Sequence, residues 1–299
     1  GTNHQYMLFF TQKGKCFWMR VFEIPEGSKT SKGRAIQNLI NIEQDDMVKA
    51  FICTQDLKDE EYVNSHYVIM ATKKGTVKKT SLEQYSRPRQ NGINAITIRE
   101  DDELLEAKLT TGTSQIFLGL KSGKAIRFEE SKTRPMGRNA SGVRGITLAN
   151  DNDEVIGMVS LHNFEDELLV VSENGYGKRS SIDDYRITNR GGKGVKTISI
   201  TDKTGNLVAI KNVTDSDDLM IINKSGIAIR MSVEDLRVMG RATQGVKLIN
   251  IKGDDSIAAV AKVMKDDEEL EDVELRDIEV TPEEDGTGID NDDTEETES

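Results

Sequence analysis

Short apolar runs punctuated by glycine recur along the chain. Gln5 to Phe10 leads into Lys13-Gly14 and then into Cys16 to Val21. The same order returns with His66 to Ala71 before Gly75, Ser114 to Leu120 before Gly123, Glu167 to Val171 before Gly175, and Asp218 to Ile222 before Gly226. Short β-rich runs joined by a glycine turn predict hairpins. A polar stretch follows each hairpin, as in Glu26 to Lys32, Ser86 to Asn91, Lys132 to Ser141, Arg186 to Lys193 and Arg237 to Gln244. Each ends at a second glycine: Gly33, Gly92, Gly142, Gly194 or Gly245. Beyond it comes another strand-like run, such as Ile93 to Ile98 or Val143 to Leu148. An acidic turn follows at Asp45-Asp46, Asp101-Asp102, Asp153-Glu154 and Asp254-Asp255, with Thr204-Gly205-Asn206 in the fourth unit. A last apolar run closes each unit, as in Val48 to Ile52 and Leu207 to Ile210.

The turn glycines lie 61, 48, 52 and 51 residues apart, and the second glycine follows the first by 19, 17, 19, 19 and 19. Spacing this regular marks an internal repeat. Four strands per unit, four prolines in all and no long 3.6-residue periodicity predict an all-β fold. One sheet per unit cannot cover both of its faces, so the units stack. A linear β-solenoid is one way; four strands per unit favour radial, propeller-like stacking, which leaves few open edges. The expected organisation is a domain over residues 1–265, with repeats at about 1–58, 59–111, 112–164, 165–214 and 215–265, and a tail over 266–299.

Charge separates the tail from the body. Residues 266–299 carry 18 Asp/Glu against one Arg, a net of -17, which leaves +5 on the rest of a chain whose total is -12. An acidic block of this kind repels itself and has little to bury, so disorder is expected. Competition of this tail with a polyanion for the basic body is the corresponding functional expectation. No apolar run approaches the length of a membrane span, and the chain opens without Met or a signal peptide, as a fragment of a longer protein does. Cys16 and Cys53 have no CxxC spacing and fit buried strand positions in a reducing cytoplasm.

The basic residues gather between the hairpin and the run after the second glycine. They are Lys29, Lys32 and Arg34; Arg87 and Arg89; Arg134, Arg138 and Arg144; Arg186, Arg190, Lys193 and Lys196; and Arg237, Arg241 and Lys247. Equivalent repeats in a radial stack turn them into a periodic belt. Solvated rim charges without a partner are the plain alternative. Lys and Arg neutralise phosphates, and glycines such as Gly191, Gly192 and Gly194 let backbone N–H groups approach them. Aromatics are only 5% of the chain and nearly absent from the loops, which argues against binding single strands by stacking. No recognition helix or zinc finger signals base-edge readout. Sequence-tolerant duplex binding with bending remains. Bending about 100 bp through a full circle costs roughly 15–20 kcal/mol by a smooth elastic estimate, so the whole belt is needed.

Arg190-Gly191-Gly192-Lys193-Gly194, after Tyr185, resembles the box of the C-terminal domain of the A subunit of bacterial DNA gyrase. That family carries Gln-Arg-Arg-Gly-Gly-Lys/Arg-Gly; here Thr188 and Asn189 stand for the first two members. Gly75-Thr76-Val77-Lys78-Lys79-Thr80, Arg134-Pro135-Met136-Gly137-Arg138, Gly142-Val143-Arg144-Gly145-Ile146 and Asn174-Gly175-Tyr176-Gly177-Lys178-Arg179 are similar to the family too. The resemblance covers about residues 5 to 265. It implies a β-pinwheel, whose blades exchange strands and whose rim wraps duplex DNA so that an ATP-driven enzyme introduces negative supercoils. The family usually has six blades with the box on the first, so an upstream blade is expected and the loop at Arg190 is a secondary copy.

No GxxxxGK[ST] loop is present, and His4, His66 and His162 form no triad or metal set. The six tyrosines sit in strand or turn contexts and read as structural. The fragment is expected to be a monomer without catalytic residues, metal, cofactor or membrane contact. The resemblance places the gyrase B subunit, ATP, Mg²⁺ and a second A subunit in the holoenzyme. The equivalent domain of topoisomerase IV and a propeller scaffold for a protein partner are the other assignments.

Overall fold

The computed structural model describes residues 5–27, 32–163, 165–251, 253 and 255–264. Lys29 and the acidic tail lie outside the described residues. Five antiparallel hairpins form where the glycine turns predict them, at Tyr6–Thr11 with Lys15–Arg20, Tyr67–Thr72 with Thr76–Ser81, Gln115–Leu120 with Lys124–Glu129, Glu167–Ser172 with Tyr176–Ser181, and Asp217–Asn223 with Ala228–Ser232. A closing strand joins the first strand of each: Val48–Thr54, Leu104–Thr110, Val155–Leu161, Leu207–Val213 or Ile257–Met264. All five closing pairs carry a register shift at the same place, for example between Phe10 and Thr11 and between Ala71 and Thr72. Such bulges sharpen the twist of a strand.

The sheets form a five-bladed, propeller-like arrangement. The closing strands face one another at the centre, where they line a cavity of about 710 Å³. The outermost strand of a blade comes from the next repeat. Ile93–Asn94 pairs with Lys15-Cys16, Val143–Arg144 with Thr76-Val77, Val195–Lys196 with Lys124-Ala125, and Val246–Lys247 with Tyr176-Gly177. Among the described residues, three sheets therefore have four strands. The third has five, through the extra parallel pair Ile187–Thr188, and the fifth has three. The runs expected after the second glycine are strand for only two residues; their next residues, such as Ala95-Ile96 and Thr197-Ile198, turn inward and are buried.

Core clusters fill the spaces between consecutive blades. Phe10 and Tyr85 meet edge to face at 5.7 Å between the first two, and Phe117 and Tyr185 at 5.4 Å between the third and fourth. Among the described residues, no cluster joins the fifth blade to the first. Phe9, Phe17 and Met19 are instead covered by Ile40 and Ile42 of their own repeat. The long first interval contains the one described α-helix, Glu60–Ser65, whose N-terminus Asp59 caps by accepting from Glu61 and Tyr62 N–H. Cys16 is buried as expected, but Cys53 is exposed, because alternate residues of Val48–Thr54 face away from the packed side.

The acidic turns have a structural task. The carboxylates of Asp46, Asp102, Asp153 and Asp255 accept from the backbone N–H of Lys13, Lys74, Ser122 and Ser225, each in the hairpin turn of its own repeat. Among the described residues no group of three His, Cys, Asp or Glu stands together as a metal site. His66 donates from Nδ1 to the Tyr62 carbonyl at 2.8 Å, and His162 Nδ1 lies 2.9 Å from Ser114 Oγ.

Candidate nucleic-acid interface

In repeats two to four the polar loop runs from a 3-10 turn, and in repeat five from a turn at 233–236, to the strand inserted into the preceding blade, so these four loops lie along that blade's outer edge. Leu82–Tyr85, Glu130–Lys132 and Ile182–Asp184 are the 3-10 turns. The loops are pinned to the outer hairpin strand of the preceding blade by bonds such as Met136 N–H to Lys79 O and Met239 N–H to Arg179 O, both 2.8 Å. Edge placement follows from sheet order alone, since the inserted strand is farthest from the closing strand.

Two classes of cation emerge in the polar loops. Lys32, Arg34, Arg87, Arg89, Arg134, Arg144, Arg186, Lys193, Lys196, Arg237 and Lys247 are exposed. Arg144, Lys196 and Lys247 share one position, the second residue of the inserted strand. Arg138, Arg190 and Arg241 occupy another shared position and are half-buried. Two of these three are latches. Arg190 donates from Nε to Lys132 O and from Nη1 to Arg144 O, both at 3.0 Å. Arg241 repeats the arrangement on Asp184 O at 3.0 Å and Lys196 O at 2.8 Å. A planar guanidinium fork suits two carbonyls at once, and it ties loop to turn and inserted strand.

The glycine-rich loop is also shaped by packing. Gly194 has φ +71°, and a Cβ there meets Ala125 O at 2.6 Å. Gly92, Gly142 and Gly245 likewise have left-handed φ beside a backbone carbonyl of the preceding blade, at 2.9, 2.5 and 2.6 Å. This contact is the physical reason for the second glycine of each repeat. Gly33 lacks the left-handed φ, and Arg34-Ala35 after it joins no sheet. The Gly191 N–H donates to Gly145 O at 2.6 Å, so it does not point free into solvent.

Buried cations beneath the loops escaped the sequence reading. The side chain four residues after the turn glycine reaches the next repeat: Trp18 Nε1 donates to Tyr85 O at 2.9 Å, Arg127 Nη1 to Tyr185 O at 2.9 Å, and Arg179 Nε to Leu236 O at 2.6 Å. Lys79, at the same position, pairs with buried Glu130 at 3.1 Å. One residue earlier, Lys78 and Lys178 are fully buried. Lys78 Nζ donates to Ala95 O at 2.6 Å and Arg138 O at 2.5 Å, and Lys178 Nζ to Gly240 O at 2.5 Å. Burial pushes both ammonium groups down to about 8. Their common offset from Gly75 and Gly175 was the signal available, although a lysine inside a strand reads as a solvent-facing residue.

The profile of the family described as DNA gyrase C-terminal domain, beta-propeller, matches residues 5–55, 66–111, 121–162, 166–214 and 217–264. The chain belongs to this family. It is 46% identical over 288 residues to the DNA gyrase A subunit of Staphylococcus aureus strain MRSA252, covering 96% of this chain and 31% of that protein. The corresponding protein of strain COL gives 46% over 287 residues, 96% of this chain and 32% of the relative. The chain thus spans about a third of the length of these relatives. In fold it is similar to the C-terminal domain of DNA topoisomerase IV, with TM-score 0.79 at 24% identity over 88% of this chain and 80% of that one. A DNA gyrase A C-terminal domain superposes with TM-score 0.74 at 22% identity over 88% and 84%. As a gyrase C-terminal domain, the chain has its five repeats where the family profile has its five matching segments. No described helix is long and apolar enough to cross a membrane.

Proposed function

We propose that the chain binds duplex DNA without sequence preference and wraps it on the outer edges of its blades, as part of a gyrase A subunit. Membership in the gyrase C-terminal-domain family supports a DNA-binding role. The observation that carries the wrapping proposal is the recurrence of exposed cations at shared positions, above all Arg144, Lys196 and Lys247 on three successive inserted strands. Neutralised phosphates at regular angular steps lower the cost of a bend that one loop cannot supply. In the holoenzyme, in the cytoplasm, this module presents a DNA segment for strand passage by the A and B subunits with ATP and Mg²⁺. The domain itself supplies no catalytic group.

Nicked circular DNA, religated with the chain bound and then deproteinised, tests wrapping: topoisomers shifted to positive linking number are expected. Unshifted topoisomers at saturating protein refute it. The TM-score of 0.79 to a topoisomerase IV domain favours one other assignment. The full enzyme with and without this region separates the two, since loss of supercoiling with relaxation kept marks gyrase, and an enzyme that only ever relaxes DNA marks topoisomerase IV.

A further inference from the structure

The half-buried arginine of the outer loops has three equivalent settings, and one differs. Arg190 and Arg241 commit their forks to two carbonyls each. Arg138 makes no hydrogen bond or ion pair through its guanidinium among the described residues, and it lines a cavity of about 210 Å³ with Arg87, Arg89, Gln84, Ile93 and Glu83. The buried Lys78 donates to the Arg138 carbonyl.

The matching place under Arg241 shows what is missing. There the backbone N–H of Arg241 donates to Asp184 Oδ2 at 3.3 Å; here the N–H of Arg138 donates to Gln84 Oε1 at 3.1 Å. Gln84 and Asp184 both sit in the 3-10 turn just before the buried Tyr85 and Tyr185. Asp184 acts on the buried Lys178 as a counter-charge, whereas Lys78 feels burial and then the repulsion of Arg138, with no carboxylate opposing them. Lys78 and Arg138 thus lie together without the carboxylate that Asp184 supplies at the twin position. Glu83, at the lip, is exposed.

We propose that the Arg87–Arg89–Arg138 cavity is a phosphate-binding pocket that takes a backbone phosphate of wrapped duplex DNA, and that it grips more tightly than the glycine-rich loop. This rests on the DNA-binding reading above. A half-buried, partly desolvated guanidinium pairs with phosphate more strongly than an exposed one, and Arg138 is free to offer a bidentate fork. The Gln84→Asp substitution installs the counter-charge of the twin site and should close the pocket to phosphate without a loss of stability.

Inorganic phosphate titrated into the wild-type chain, followed by amide NMR, should give saturable shifts at Ile93 and Arg138, absent in Arg138→Gln and in Gln84→Asp. Duplex affinity measured across a salt series should fall about tenfold for either variant. The slope of log K against log salt should drop by about 0.9, the loss of one phosphate contact. Arg190→Gln should change affinity by less than threefold. Melting curves identify a variant that misfolds, and Arg87→Gln/Arg89→Gln, both exposed, then serves in its place. Shifts spread evenly over the loops, or an unchanged slope in Gln84→Asp with wild-type binding intact, overturns the pocket alone. No duplex binding by the wild type overturns both proposals.

Discussion

The three glycines of the Arg190 loop look alike in sequence, and the structure predicts three different outcomes when each becomes alanine. At Gly192 the nearest atom to a new Cβ is Ile126 Cδ1 at 3.5 Å, and φ is not left-handed. The change should cost within about 0.5 kcal/mol. Gly191 has φ +86° but its nearest neighbour is 3.6 Å away, so alanine brings only backbone strain, about 1–2 kcal/mol. Gly194 has both problems, with φ +71° and a Cβ 2.6 Å from Ala125 O and 2.8 Å from Ala125 C. Neither side can move away, since Val195 and Ala125 are paired across the inserted strand. Strain and overpacking together come to about 3 kcal/mol. In a domain of this size that is roughly 6–12 °C in Tm. Calorimetry measures the melting series, and hydrogen exchange at Val195 and Lys196 reports whether the inserted strand has left its partner. A Gly194→Ala protein that melts within a degree of Gly192→Ala refutes the packing explanation. The same series separates two uses of glycine. If Gly192 serves close approach of a phosphate, Gly192→Ala weakens DNA binding at unchanged Tm.

Other substitutions test the latches and the buried charges. Arg241→Ala removes two bonds from a charged donor to carbonyls and should cost about 1–2 kcal/mol in urea unfolding; Arg241→Lys, lacking the fork, should recover less than half. Asp153→Ala removes the acceptor for Ser122 N–H, Ser122 Oγ and Ala149 N–H at 2.8–3.0 Å, so about 2–3 kcal/mol and faster exchange at Ser122 and Ala149 are expected. Lys78 and Lys178 are depressed to about 8 from 10.5, so the unfolded chain binds more protons between those values and their contribution to stability rises with pH across that window. The gain is up to about 3 kcal/mol for each lysine. Buried Tyr85 and Tyr185 are raised and act in the opposite sense at the top of the window, so the measured quantity is the difference between wild type and Lys78→Met/Lys178→Met at pH 7.5 and pH 10. A flat difference refutes the assignment of those two ammonium groups.

Periodicity along the chain determined the five hairpins, the closing strands and the second glycine of each repeat, because turn geometry and alternation are local properties. The acidic turns were legible as turns, though not as the acceptors that hold Lys13, Lys74, Ser122 and Ser225. Which blade receives each outer strand was decided only by the tertiary structure. A two-residue strand such as Val195–Lys196 has no stability alone and takes its partner from the neighbouring repeat. The same holds for charge. Along the chain Arg138, Arg190 and Arg241 are equal members of a basic series, and Lys78 is one lysine in a strand. Folding commits two of those arginines to carbonyls, buries the lysine, and leaves Arg138 facing a cavity where its twin site has Asp184 and this one has Gln84. The strength of a charge is set by its neighbours and its solvent, and neither is written in the order of residues.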